Sequence, residues 1–144
     1  MRHGLLAAAV LALSACGGDG GGDGGGGGAV GGGEDVQPVT LQLKEMNNSG
    51  KSGTAELQSG AASTDITIAL EPAQGDNEPI HIHKGTCESP EAEVAHDLGF
   101  TTAGLGQGQA FVTLPELTTG EFVLDIHSAR DPDTVIMCAP IPQR

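Results

Sequence analysis

From Val39 onward, apolar residues recur at every second position. Val39, Leu41 and Leu43 alternate with Thr40, Gln42 and Lys44. Ile66, Ile68 and Leu70 alternate with Thr67 and Ala69, and Phe122, Leu124 and Ile126 with Val123, Asp125 and His127. Successive side chains of a strand point to opposite sides of a sheet, so a period of two marks half-buried strands rather than amphipathic helices. Turn-forming clusters separate the runs: Asn47 to Gly53, Gln74 to Asn77, Gly104 to Gly108, Thr119-Gly120 and Asp131-Pro132-Asp133. This pattern predicts strands near 39–45, 54–59, 64–71, 79–83, 109–114, 121–128 and 134–139. It leaves one long loop over 84–108, with room for a short helix over 90–96, and shows no internal repeat. Seven short strands with regular turns predict an all-β antiparallel sandwich or flattened barrel.

The segment 36–144 has the length of one small domain, about 110 residues around one core. With no tryptophan, no tyrosine and three phenylalanines, that core must be built from Val, Ile, Leu and Ala. The chain carries a formal charge of −13, and from Val36 onward fifteen carboxylates stand against five lysine or arginine side chains. Such a balance repels nucleic acid and anionic lipid and does not draw in small anions.

The first 35 residues do not continue the strand pattern. Met1, Arg2 and His3 form a short positive end before the nine-residue apolar run Leu5 to Leu13. A spanning helix needs roughly 20 apolar residues, so this run fits the core of a signal peptide over 1–15. It ends in Leu13-Ser14-Ala15-Cys16, which resembles the lipobox of bacterial lipoproteins. That resemblance implies cleavage before Cys16, lipid on its thiol and anchoring to a membrane outside the cytoplasm. Gly17, not aspartate, follows Cys16, which by the same resemblance implies the outer membrane if the cell has two. Thirteen of the twenty residues 16–35 are glycine, and the segment has too little apolar surface to offset its backbone entropy, so it is expected to form a disordered tether.

With Cys16 assigned to lipid, Cys87 and Cys138 remain as one pair in an oxidising compartment, and a disulfide between them is expected. The rival is a pair of thiolate metal ligands, although no CxxC spacing accompanies them.

His81-Ile82-His83 puts two imidazoles on one face of a strand, with Ile80 and Ile82 on the other. His127 shares its face with Asp125, opposite Phe122, Leu124 and Ile126. By parity all three histidines turn away from the core. They either meet as a metal site, since neutral imidazole suits copper and zinc, or remain three separate surface side chains.

The segment Pro79-Ile80-His81-Ile82-His83-Lys84-Gly85-Thr86-Cys87, with Leu124-Asp125-Ile126-His127 and Cys138 downstream, resembles the copper-zinc superoxide dismutase family, above all its small bacterial envelope members. Ser52-Gly53-Thr54-Ala55 also fits the early strands of these relatives. The resemblance implies a Greek-key β-sandwich or flattened barrel of seven to eight strands. It makes His81, His83 and His127 copper ligands and joins Cys87 to Cys138. Between Cys87 and Phe111 the chain offers only His96 and Asp97 where the family has its zinc ligands, so no zinc site is expected; His96 is a candidate fourth copper ligand or an exposed loop residue. Val135 stands at the position of the family's anion-guiding arginine, with Arg130 upstream in a turn. These departures rank copper binding or buffering first, a copper-only superoxide dismutase second and a metal-free structural or interaction domain third.

Overall fold

The computed structural model describes residues 36–73 and 77–144. The expected signal peptide, the expected lipidation site Cys16 and the expected glycine tether lie outside the described residues.

Among the described residues, eight antiparallel strands form one nearly closed, barrel-like sheet. They are β1 (Val39–Glu45), β2 (Ser52–Ser59), β3 (Thr64–Glu71), β4 (Pro79–Thr86), β5 (Ser89–Phe100), β6 (Leu105–Ala110), β7 (Phe122–His127) and β8 (Val135–Pro140), in the order β5-β4-β7-β8-β1-β2-β3-β6. The period-two residues fill the interior: Val39, Leu41, Leu43, Ile66, Ile68, Leu70, Ile80, Ile82, Leu124 and Ile126 are all buried in one aliphatic cluster. The expected all-β antiparallel barrel of seven to eight strands is what the chain forms.

Three segments differ from the sequence pattern. The expected loop over 84–108, with its helix over 90–96, instead contains β5, a twelve-residue strand. Its first six residues are exposed, so no buried side alternates with a solvent side, and its pairing with β4 shifts register three times. The glycines from Gly104 to Gly108 include the inward positions of β6 rather than a turn. A Cβ on Gly106 would lie 2.7 Å from Ile80 Cδ1, and one on Gly108 2.7 Å from both Cβ and the carbonyl oxygen of Leu98. Bare inward positions let β6 approach β5, the other end of the strand order, and bring the barrel near closure.

The strand expected over 109–114 ends at Ala110 and is followed by a helix, α1 (Leu114–Thr119). The carboxylate of Glu116 accepts hydrogen bonds from the backbone N–H of Thr113, at 3.0 Å, and from its hydroxyl, at 2.6 Å. Pro115 stands in the first turn, and Leu114 and Leu117 are fully buried in the core. Thr113-Leu114-Pro115-Glu116 is a legible helix start, Thr-x-x-Glu with an early proline, embedded in a β pattern.

The β4–β5 hairpin turns at Cys87-Glu88, since Thr86 pairs with Ser89. Its tip reaches across β7 to β8, where Cys87 and Cys138 form a disulfide with Cα atoms 5.8 Å apart. Both sulfurs are used in that bond, so the thiolate-ligand alternative is excluded.

Candidate metal centre

The β4–β7 ladder runs without a register break and pairs Ile80 with Ile126, His81 with Asp125, Ile82 with Leu124 and His83 with Val123. The isoleucines and Leu124 enter the core, so the intervening residues emerge together on the other side. His81, His83, Asp125 and His127 therefore share one patch, and one donor atom of each lies within 4.8 Å of the others. The parity expectation for the three histidines is met. The rings of His81 and His127 are closest, with centroids 4.8 Å apart, and His83 stands 5.7 and 5.9 Å from them.

This outer patch is covered. His83 and His127 are buried at 6% and 8% exposure and Asp125 at 1%, while the His81 side chain keeps 20%. Register shifts flank the histidines: β4 slips against β5 around His83, and β7 slips against β8 between Ile126 and His127. Bulges of this kind re-aim side chains and free backbone groups. Here the shift on β5 leaves the carbonyls of Glu91 and Glu93 facing His83 Nδ1, at 2.7 and 3.1 Å.

Those two carbonyls settle the His83 tautomer. Both are acceptors, so Nδ1 must donate, and in the neutral ring Nε2 carries the lone pair. Nε2 is buried without a hydrogen-bond partner and faces Asp125 Oδ1 at 3.7 Å. A ring nitrogen held by backbone carbonyls while the other faces an inner cluster is the usual outer support of a metal-ligating histidine.

His127 Nε2 lies 3.2 Å from the same Asp125 oxygen. The Asp125 hydrogen bond holds the His127 pKa above the ordinary histidine value, against the opposing effect of burial, and the Pro132 backbone and Asp133 add to the rise. His81 behaves in the opposite sense. Burial, then the positive charge of a protonated His127, lowers its pKa, with Asp125 and Asp97 only partly compensating. Its Nε2 points outward to Asp97, 4.0 Å away, and its buried Nδ1 has no hydrogen-bond partner. His127 Nδ1 likewise makes no well-formed hydrogen bond.

His96 does not join the cluster. It lines a separate groove with Lys84, Glu91, Glu93 and Phe122. Arg130 is exposed in the loop after β7, and Val135 is the register partner of His127. Asp125 is the member that a search for histidine spacing passes over, although its parity with His127 is visible in the sequence. Three imidazoles and one carboxylate, all but His81 buried, make a site able to hold a metal ion.

No protein-family model matches this chain, and no curated protein matches it.

Proposed function

We propose that this chain is a bacterial envelope lipoprotein whose superoxide dismutase-like domain binds copper through His81, His83 and His127 and serves to hold or pass on the ion. One observation carries this reading: His81, His83, Asp125 and His127 each bring one donor atom within 4.8 Å of the others, with buried His81 Nδ1 and His83 Nε2 lacking hydrogen-bond partners and the His83 tautomer set so that Nε2 is the lone-pair nitrogen. Unpartnered buried nitrogens are costly unless a ligand satisfies them, and imidazole donors suit copper. Copper there would supply one-electron chemistry. The chain's own part is to fix the ring orientations from β4, β5 and β7 and to keep bulk water from His83 and His127.

Binding is favoured over dismutation by the charges around the site. Asp97, Asp125 and Asp133 all act on the histidines, and the register partner of His127 is the uncharged Val135. A superoxide anion gains nothing from approaching such a surface. A copper-only superoxide dismutase is the second reading, favoured by the partial exposure of His81, which leaves the cluster a route to solvent. Lipid on Cys16 and a location outside the cytoplasm belong to the same proposal and rest on the Leu13 to Cys16 segment.

Copper titration of the protein under spectroscopic observation should give one equivalent with imidazole nitrogens, lost in His81→Ala. Failure of the wild type to bind copper ends both readings. If copper binds, superoxide consumption no faster than with free copper supports binding, and a clear excess that disappears in His127→Ala supports the enzyme. Radiolabelled fatty acid should be incorporated by the expressed wild type and not by Cys16→Ser.

A further inference from the structure

We infer that Asp125 is itself a metal ligand and that its carboxylate makes the site select the divalent ion, Cu(II) over Cu(I). This rests on reading the three histidines as a metal site and adds a fourth donor and an oxidation-state preference to it.

The position of Oδ1 separates two roles. An outer-shell carboxylate accepts a proton from the ring nitrogen that does not bind the metal. Asp125 Oδ1 lies 3.2 Å from His127 Nε2, with which it shares a hydrogen bond in the metal-free patch, and 3.7 Å from His83 Nε2, and it is the second contact that outer-shell support does not explain. On His83 the proton sits on Nδ1, held by the carbonyls of Glu91 and Glu93, so Nε2 of the neutral ring has nothing to donate to the carboxylate. A lone pair then faces an anionic oxygen in a patch where Asp125 is 1% exposed. In the neutral ring this arrangement is repulsive, and a cation between the two atoms, a second proton or a metal ion, relieves it.

The two separations from Oδ1 fit a shared ion, and the widest donor separation in the patch, 4.8 Å, closes on binding. Tetrahedral bonds of about 2.1 Å set donors roughly 3.4 Å apart, close to both separations from Oδ1. His81 completes the group with Nδ1, its unpartnered buried nitrogen, while Nε2 faces Asp97. The donor set is three imidazole nitrogens and one carboxylate oxygen. A hard anionic oxygen gains more from a doubly charged ion than from the softer, singly charged Cu(I). Asp125 thereby opposes the cycling between oxidation states that dismutation requires and suits a site that holds Cu(II).

The experiment compares wild type with Asp125→Asn, which keeps the shape of the side chain and removes its charge. Cu(II) affinity is measured by competition with a chelator in air, and Cu(I) affinity by competition with a Cu(I)-specific chelator under anaerobic conditions with ascorbate. The substitution should weaken Cu(II) binding by about tenfold or more beyond any change in Cu(I) binding, a difference of about 1.4 kcal/mol. Equal losses for the two ions would make Asp125 a positioning residue and overturn the inference, as would no loss. Wild type loaded with Cu(II) and labelled with carbon-13 at the aspartate carboxylates supplies a readout that needs no variant. Electron-nuclear double resonance should show strong coupling to one carboxylate carbon, and its absence would overturn the inference even if Asp125→Asn fails to fold. Wild type that binds neither ion would instead remove the metal site itself.

Discussion

Asp125 and Cys138 are register partners across the β7–β8 ladder, so the carboxylate of the histidine patch and one sulfur of the disulfide project from the same rung and the same side of the sheet. The bond to Cys87 pins the tip of the β4–β5 hairpin over that side. The same hairpin carries His81 and His83 on one strand and the Glu91 and Glu93 carbonyls on the other.

Replacing both cysteines, Cys87→Ser with Cys138→Ser, should lower unfolding free energy by about 2–5 kcal/mol, the usual range for losing a native bridge in a small domain. The 51-residue separation accounts for about 4 kcal/mol of this in the chain-entropy view. Urea denaturation of the two proteins measures it, and a change under about 1 kcal/mol would show that the hairpin tip is held by other contacts.

The two faces of β4 should respond differently to truncation. Ile82 is fully buried in the core, and Ile82→Ala should destabilise by about 2–5 kcal/mol. His81, one residue earlier, faces the partly open patch, and His81→Ala should change metal-free stability by less than about 1 kcal/mol. Equilibrium unfolding of both variants without metal provides the comparison.

Gly108→Ala tests barrel closure. The added methyl would meet Leu98 at 2.7 Å, including its backbone carbonyl, which a rotamer change cannot move. A loss of about 1–3 kcal/mol is expected, with faster amide exchange in β5. An unchanged melting temperature would mean that β5 and β6 separate freely.

The start of α1 should be sensitive to acid. Thr113, through its hydroxyl and then its backbone N–H, lowers the Glu116 pKa below 4.5. The carboxylate is therefore favoured in the folded state: its contribution is fully present above pH 4.5 and is lost as pH falls through the lower folded value. Glu116→Gln should remove that part of the stability change on acidification, and thermal melts between pH 3 and 6 compare the two proteins.

The helix start at Thr113 to Glu116 and the inward face of β1, β3 and β7 are legible because they follow from rules acting over a few residues. A twofold repeat tells which side of a strand is apolar, and Thr-x-x-Glu with an early proline tells where a turn of helix can begin. β5 obeys no such local rule. Ser89 to Val94 expose every side chain, and the strand exists because the β4 backbone pairs with it. Gly106 and Gly108 carry no strand signal either, since their role is defined by Ile80 on β4 and Leu98 on β5.

The sequence by itself determined the class of fold, the aliphatic make-up of the core, and that His81, His83 and His127 lie on the side of their strands facing away from it. Only the tertiary structure decided that those three side chains meet, because parity gives the face of a strand and not its neighbours. The β4–β7 register sets His81 opposite Asp125, and the shifts around His83 and after Ile126 turn the rings and two carbonyls into one patch. The membership of Asp125 was decided the same way: an acidic residue on an outward face is ordinarily solvated, and its burial beside His83 and His127 follows from how the strands are stacked.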